Sequence, residues 1–235
     1  MVGIIAGANF SVARLENAER KRVQTAYGEP SDSIRLVSLA GQEIVFLLRH
    51  GSQRIPPHRI NHRANLSALL SLGVSQLIGV NSVGSLKRDI PPGSIVIPGD
   101  FLCPWQILTF HEDRAVHITP TLSQELRTVL VRAAFDAEVK FRDGGVYVHT
   151  LGPRLETRAE VAMLSQFGDV VGMTMAHEAT LAQELGLPYA SLCSVDNFAH
   201  GLMDVPLLAE EIARMARENV NQIEKVLIRA LESMK

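Results

Sequence analysis

VVGMTMAHEATLAQELGLPYASLCSVDNFAHG, residues 170–201, runs from a Gly-Met-Thr turn through a helical segment to an apolar run that ends on Ser-Val-Asp-Asn. Open α/β sheets keep their ligand groups at the carboxyl ends of buried strands, and this strand delivers a carboxylate and an amide there. The stretch therefore predicts an α/β sheet with a small-molecule site at the strand ends.

Short apolar runs alternate with helical patterns along the rest of the chain, which is typical of a single α/β domain over residues 1–235. VGIIAG predicts a strand that turns at Gly7, and LVSLAGQEIVFLLRHG predicts a hairpin around Ala40 and Gly41. SQLIGVNSVGSL predicts a buried strand followed by a turn of small residues, and GSIVIPGDFL predicts another strand.

Helices are predicted where apolar residues recur at helical spacing. NHRANLSALLSLGV has Leu66, Leu69 and Leu70 on one face, and TLSQELRTVLVRAAF begins with a capping signal at Thr121 or Ser123. ETRAEVAMLSQFG and HEATLAQELG read as two further helices, and residues 207–234 form an apolar stripe that should pack on the sheet.

The composition indicates an ordinary globular protein of the cytoplasm. Hydrophobic residues make up 46% of the chain, and 23 Lys and Arg face 25 Asp and Glu, so no charge pattern points to nucleic acid. The N-terminus lacks the features of a signal peptide, and no segment approaches the roughly 18 apolar residues of a membrane span. Cys103 and Cys193 form no CxxC pair, so we expect reduced structural thiols and neither a disulfide nor a metal site.

Two motifs at predicted strand ends are suited to an anion. FLLRHG ends on Arg49, whose planar guanidinium matches phosphate oxygens, and on His50, whose imidazole is a tunable donor. An Arg-His pair in a surface loop is the alternative. In VNSVGSL, Ser82 and Gly84 are small enough for backbone N–H groups to approach an anion, although many such turns bind nothing.

Two further motifs place polar groups near helix and strand ends. HTLGPRLETRAE puts Glu156 at the start of a helix, where a carboxylate can also simply complement the helix dipole. VVGMTM supplies Met173 and the Thr174 hydroxyl, and SVDNF supplies Asp196 and Asn197. A turn and an Asx cap are the alternative interpretation of these groups.

Taken together, the motifs resemble those of the purine nucleoside phosphorylase and methylthioadenosine phosphorylase family, in its trimeric branch. The resemblance covers essentially the whole chain and is carried by RHG, PPHRINHRANLSALLSLGV, GPRLETRAE, VVGMTMAHEATLAQELGLPYAS and VDNFAHG, in the family's order. It implies the nucleoside phosphorylase fold, a mixed β-sheet flanked by helices, and a homotrimer. It also implies reversible phosphorolysis, in which phosphate attacks C1′ of the sugar while the purine leaves, with no organic cofactor and no metal.

The same resemblance assigns roles to individual residues. Four side chains would hold phosphate: Arg49, His50, Ser82 and Thr174. Met173 would lie against the sugar, and Asn197 would hydrogen-bond the purine at N7 and favour protonation of the leaving base. Asn197 and His50 are therefore the expected catalytic residues.

The choice of base depends on Glu156 and Asn197. Family members that use 6-oxopurines resemble this chain at both positions, whereas 6-aminopurine members tend to have Ser and Asp there. A carboxylate accepts from N1–H of a 6-oxopurine but meets an acceptor at N1 of adenine, so hypoxanthine or guanine is favoured. If Asp196 faces the base instead, adenine becomes the alternative.

The 5′ side of the sugar is predicted to be apolar. Relatives that use inosine or guanosine have a His near the start of the C-terminal helix, whereas VPLLAEEI offers Leu207, Leu208 and Ala209. This lining favours 5′-methylthioinosine, with inosine and guanosine as competing substrates. His117 in RAVHITP resembles the residue that the family donates to the neighbouring subunit's sugar.

The chain departs from the family pattern at one position, and the sequence leaves several other functions as alternatives. The family's first loop has a phosphate-binding hydroxyl where this chain has Ala8, and Asn9 or Ser11 could compensate. Loss of that hydroxyl leaves a non-catalytic nucleoside-binding oligomer as one alternative, and a nucleosidase that uses water as another. His58 and His62 are spaced i, i+4 as in metal sites, but the Glu of an HExxH motif is missing, as is the GxSxG of serine hydrolases.

Overall fold

The computed structural model describes residues 1–7, 18–204 and 208–234. The predictions about Ala8, Asn9, Ser11 and Leu207 lie outside these ranges. Within them, a mixed sheet is flanked by helices on both faces, which confirms the predicted α/β class.

The strands of the described ranges are β1 (Val2–Ala6), β2 (Glu19–Lys21), β3 (Ile34–Leu39), β4 (Gln42–Leu48), β5 (Gln76–Ser85), β6 (Ile95–Ile97), β7 (Asp100–Leu102), β8 (Phe141–Asp143), β9 (Val146–His149), β10 (Val170–Gly172) and β11 (Tyr189–Phe198). The helices are α1 (His62–Ser71), α2 (Gln124–Asp136), α3 (Arg158–Leu164), α4 (Met175–Glu184) and α5 (Ala209–Ser233), with a short 3-10 helix at Pro57–Arg59.

The centre of the sheet is parallel. β4, β1, β5 and β11 are neighbours in that order and run in the same direction, so their carboxyl ends meet at one edge. β10 joins the end of β5 in the antiparallel sense and continues through β9 to β7, while β6 and β8 extend the sheet beyond β11. This topology makes the carboxyl edge of the parallel strands the natural place for a ligand.

Each face of the sheet is covered by two helices. α2 and α5 bury residues such as Leu130 and Val226 on one face, and α1 and α4 bury Leu66 and Leu181 on the other. The prediction for α1 is correct at Leu66 and Leu69 but wrong at Leu70, which is 39% exposed because it lies past the edge of the packed stripe.

Local signals in the sequence explain several element boundaries. Ala40 and Gly41 have φ angles of 51° and 75°, the left-handed pair that a tight two-residue hairpin requires, so the predicted hairpin is confirmed. Ser123, one of the two predicted caps, accepts a hydrogen bond from the Leu126 backbone N–H at 3.3 Å and starts α2.

Two predicted connections are wrong. The small residues after the apolar part of β5 do not form a turn, because they are paired on both sides, with β10 at Gly84 and with β11 as far as Ser85. GSIVIPGDFL is not one strand, because Pro98 cannot donate to a ladder and the segment divides there into β6 and β7.

Cys103 and Cys193 are both free thiols. In the part of the chain that the structure describes, no helix combines the length and the apolarity needed to cross a membrane.

Candidate functional site

A cavity of about 370 Å³ opens at the carboxyl edge of the parallel strands. Its volume lies in the range usual for small-molecule sites. The cavity brings together most of the predicted site residues, namely Arg49, His50, Ser82, Glu156, Met173, Thr174, Asp196 and Asn197. These residues come from five separate segments, which converge here because the topology brings their ends to one edge.

Two predicted residues lie elsewhere. Leu208 is 51% exposed and lines a smaller neighbouring cavity of about 210 Å³, which shares Asp196 and Asn197 with the first. The prediction of Leu208 as a wall of the central cavity is not reproduced, because α5 begins only after it and turns its later residues inward. His117 is exposed and does not line the central cavity.

Arg49 is a buried cation whose partner was not foreseen. Its Nε and Nη2 donate to the two carboxylate oxygens of Glu178, the second at 2.9 Å, and Nη1 and Nη2 also donate to the carbonyls of Val80 and Ile5. Burial lowers the pKa of Arg49, whereas the neighbouring Glu178 carboxylate raises it. The net effect is a raised pKa. Among the described residues, one Nη1 hydrogen has no acceptor. Nη1 lies 3.8 Å from the position that a Cβ on Gly7 would take.

His50 is oriented by a backbone carbonyl. Its Nδ1–H donates to the Ile55 carbonyl at 2.7 Å, which leaves Nε2 as the second polar atom of the ring. Burial, and then the charge of Arg49, lower the pKa of His50, while the carbonyl contact opposes that shift. The ring is consequently neutral at pH 7, with Nε2 able to accept a proton.

The Thr174 hydroxyl is prepared to donate into the cavity. Thr174 is the residue before α4, but its side chain does not cap the helix. The backbone N–H groups of Thr174 and Met175 donate instead to the Tyr147 hydroxyl, at 3.1 and 3.3 Å. Asn81 donates to Thr174 Oγ1 at 2.9 Å, and Ser191 donates to Asn81 Oδ1 at 2.7 Å, which fixes the amide. Oγ1 accepts from Asn81, and its own hydrogen has no acceptor among residues 1–7, 18–204 and 208–234, so it can donate to a ligand at the positive end of the α4 dipole.

Asp196 is buried, and both of its carboxylate oxygens accept hydrogen bonds. Ser82 and Ser194 donate to its two carboxylate oxygens, and Asn219 Nδ2 donates to Oδ1 at 2.9 Å. Burial raises the pKa of Asp196, and the three hydrogen bonds oppose the rise. The Ser82 hydroxyl hydrogen is therefore committed to Asp196 and is not directed to an anion.

Asn197 follows a bulge in β11, where the register with β5 shifts between Val195 and Asn197. The bulge turns successive side chains to the same cavity. Asn197 donates one Nδ2 hydrogen to the Phe198 carbonyl at 2.8 Å, and its Oδ1 and other hydrogen have no partner in the described part of the chain. A Cβ on Gly84 would stand 3.2 Å from Asn197 Nδ2, so the glycine gives this amide its space.

Glu156 neither caps α3 nor lies in its first turn. Thr157 is the N-cap of α3, and its partner in a capping box is Glu160, so the interpretation of Glu156 as a first-turn carboxylate is wrong. Glu156 lines the cavity and accepts from Thr150 Oγ1 at 2.6 Å, and its other oxygen has no partner in the described residues.

One wall of the cavity is apolar and comes from α5. Ile212, Ala216, Val220 and Ile223 lie one or two turns apart and line the cavity together. The sequence analysis assigned α5 to packing alone, because the same stripe continues into the core at Val226 and Ala230.

Several functional candidates were missed by sequence reasoning. Glu178 lies within an apolar helix, and Asn81 and Ser194 lie within buried strands, so only the three-dimensional arrangement joins them to the site. His200 also lines the cavity, and the quoted motif VDNFAHG contained it without assigning it a role.

Comparisons with known proteins agree with this architecture. The family model of the phosphorylase superfamily matches residues 1–232. A probable 6-oxopurine nucleoside phosphorylase of Archaeoglobus fulgidus is 41% identical, over 100% of this chain and 97% of the relative. A probable S-methyl-5′-thioinosine phosphorylase of Methanocaldococcus jannaschii is 40% identical, over 97% and 90%. The crystal structure of a methylthioadenosine phosphorylase from an Antarctic soil metagenomic library superposes with a TM-score of 0.90 at 32% identity, covering 99% of this chain and 85% of that one.

Proposed function

The chain belongs to the phosphorylase superfamily, and we propose that it catalyses the reversible phosphorolysis of a 6-oxopurine nucleoside, 5′-methylthioinosine being the preferred substrate. The observation that carries the proposal is the single cavity with an anion-binding end at His50 and Thr174, a base-binding end at Glu156 and Asn197, and an apolar wall from α5. The products are the free purine and a ribose 1-phosphate, so the enzyme is a pentosyltransferase.

Phosphate binds at the N-terminus of α4. The free hydroxyl hydrogen of Thr174 and the remaining Nη1 hydrogen of Arg49 donate to its oxygens. Neutral His50 accepts the P–OH hydrogen of hydrogen phosphate at Nε2, which leaves the charged oxygens toward the sugar. Ser82 contributes through Asp196, which its hydroxyl holds in place.

The purine binds at the opposite end. Glu156 accepts N1–H of the 6-oxopurine, because Thr150 occupies only one of its two oxygens. In the overall reaction, the proton that hydrogen phosphate loses ends on the purine, at N7. Asn197 Oδ1 accepts that N7 hydrogen as the C1′–N9 bond breaks, so the interaction strengthens as the base leaves. A phosphate oxygen bonds to C1′ from the other face, and the electron pair of the broken bond stays on the purine.

The hydrogen bonds that Asp196 accepts from the protein support Asn197, and not Asp196, as the residue that contacts the base. Asp196 is held away from the role of a base-binding acceptor by Ser82, Ser194 and Asn219, which together direct three of its roughly four lone pairs to the protein. A 5′-methylthioadenosine phosphorylase is therefore the less favoured function, although relatives with that name are 36% identical.

The apolar α5 wall supports a 5′-methylthio substituent. A hydroxyl buried against Ile212, Val220 and Ile223 would lack a partner, at a cost of about 1–3 kcal/mol, whereas a thioether loses nothing there. Met173 lies against the sugar between this wall and the phosphate end.

A homotrimer in the cytoplasm completes the proposal. Leu155 lines the cavity and is nevertheless 48% exposed, so an apolar side chain faces solvent at the cavity mouth. Association would cover this face and bring His117 of one subunit to the sugar of the next. A fully active monomer in sedimentation would contradict the trimer.

The direct test is release of free base with and without phosphate. We expect the purified protein to release hypoxanthine from 5′-methylthioinosine only when phosphate is present, with one sugar 1-phosphate formed for each base. Release without phosphate would identify a nucleosidase, and binding without release would identify a non-catalytic oligomer; either result would refute the proposal.

A further inference from the structure

Three potential metal ligands converge outside the nucleoside cavity, where β7, β9 and α4 meet. Cys103 follows β7, His149 ends β9 and His177 lies in the first turn of α4. The Nε2 atoms of the two imidazoles are 3.1 Å apart, and the ligand atoms of all three residues lie within 4.8 Å of one another. Cys103 was expected to be a structural thiol because it forms no CxxC pair with Cys193.

One of the two histidines has a buried nitrogen without a hydrogen-bond partner among the described residues. His149 is fully buried and its Nδ1 has no hydrogen-bond partner in the described structure, while its Nε2 faces the equivalent nitrogen of His177. Burial lowers the pKa of His149 to about 3, with a further contribution from His177, and burial lowers that of His177 to about 4. Both rings are thus neutral, and neutral rings have the lone pairs that a cation needs.

The distances are close to those of a tetrahedral zinc centre. Zn–N bonds of 2.0–2.1 Å place two imidazole nitrogens roughly 3.3 Å apart, and a Zn–S bond of 2.3 Å places sulfur roughly 3.6 Å from each nitrogen. The imidazole pair is already near this separation. Cys103 needs to move by at most roughly 1.2 Å, and it is a partly buried residue in a loop.

We propose that Cys103, His149 and His177 bind one Zn²⁺ ion, with water in the fourth position. One thiolate and two imidazoles form a donor set that prefers zinc to hard cations such as Mg²⁺ or Ca²⁺. Binding replaces the Cys103 thiol hydrogen by the metal and releases that proton to solvent.

The ion would connect the two ends of the nucleoside cavity without touching the reacting atoms. His149 directly precedes Thr150, which holds Glu156, and His177 is in the helix that begins after Thr174. The site is therefore structural, and its effect is to fix β9 against α4.

Cobalt titration of the chelator-treated protein tests the proposal. We expect one Co²⁺ per chain, with a thiolate-to-cobalt charge-transfer absorption that Zn²⁺ abolishes by displacement. Cys103→Ser should abolish this absorption while Cys193 is still present, and His177→Gln should weaken Zn²⁺ binding by at least about 100-fold, since even residues behind the ligands contribute 10–100-fold.

His58→Gln is the matched control, because His58 is exposed and outside the cluster, and it should leave binding unchanged. Cys103 is only partly buried, so its variant keeps the test valid even if His177→Gln is unstable. Absence of the charge-transfer absorption in the unaltered protein, or equal zinc affinity in Cys103→Ser, would overturn the site.

Discussion

Replacement of Glu178 by Gln should weaken both the fold and the binding of phosphate. Glu178 is 0% exposed and accepts two hydrogen bonds from Arg49 and one from Tyr189, the last at 2.9 Å. Gln keeps the shape but presents an N–H₂ group to an Arg49 donor and removes the only carboxylate that pairs with this buried cation within the described residues. Loss of one partner of a buried ion pair costs about 3–5 kcal/mol.

We expect urea unfolding of Glu178→Gln to show a free energy of unfolding lower by that amount, and phosphate KM to rise because Arg49 is no longer fixed. Arg49→Met supplies the control in a double-mutant cycle. The double variant has no unpaired cation, so its loss should fall short of the sum of the single losses by at least about 2 kcal/mol. A Glu178→Gln loss below about 1 kcal/mol, or additive losses, would refute the reasoning.

Three further predictions concern the cavity and the histidine pair. Thr174→Val removes one charge-assisted hydrogen bond of about 1.5–3 kcal/mol, so phosphate KM should rise roughly 10–100-fold with nucleoside KM unchanged in steady-state assays. Glu156→Gln should lower kcat/KM for 5′-methylthioinosine roughly 10–100-fold and leave that for 5′-methylthioadenosine unchanged or higher; parallel losses on both substrates would contradict the role of Glu156. In the presence of a chelator, the depressed pKa values of His149, about 3, and His177, about 4, give stability that is present above pH 6.5 and lost as pH falls. Unfolding at pH 5 should therefore require about 2 kcal/mol less per histidine than at pH 8, and the His177→Gln variant should show about half of the combined loss.

The sequence was most informative where a motif ends a buried strand. Arg49, His50 and Asn197 line the cavity as predicted, because apolar runs identify parallel strands and the ends of those strands meet at one edge. The assignment of their chemical roles came from the resemblance to a family and stays a prediction.

The sequence failed where partners are distant along the chain. Glu178 lies in an apolar helix pattern, and nothing local connects it to Arg49, although their pairing determines which Arg49 donors remain free. The same limitation conceals the convergence of Cys103 with the histidines of β9 and α4.

Local interpretation also failed where two roles compete for one position. A first-turn carboxylate was the alternative interpretation of Glu156, but Glu160 takes that role through the capping box with Thr157. Leu208 was chosen for the 5′ wall, but the helix starts one residue later and presents Ile212 to the cavity instead.

The most direct test of 6-oxopurine phosphorolysis is the ratio of kcat/KM for 5′-methylthioinosine to that for 5′-methylthioadenosine, measured at saturating phosphate. These substrates differ only at the purine 6-position and the adjoining N1, so the ratio reports the base-binding end alone. We expect a ratio on the order of 10² or more, since the adenine N1 would leave Glu156 without its donor. A ratio of one or less would contradict the assignment of Glu156 and Asn197 to a 6-oxopurine.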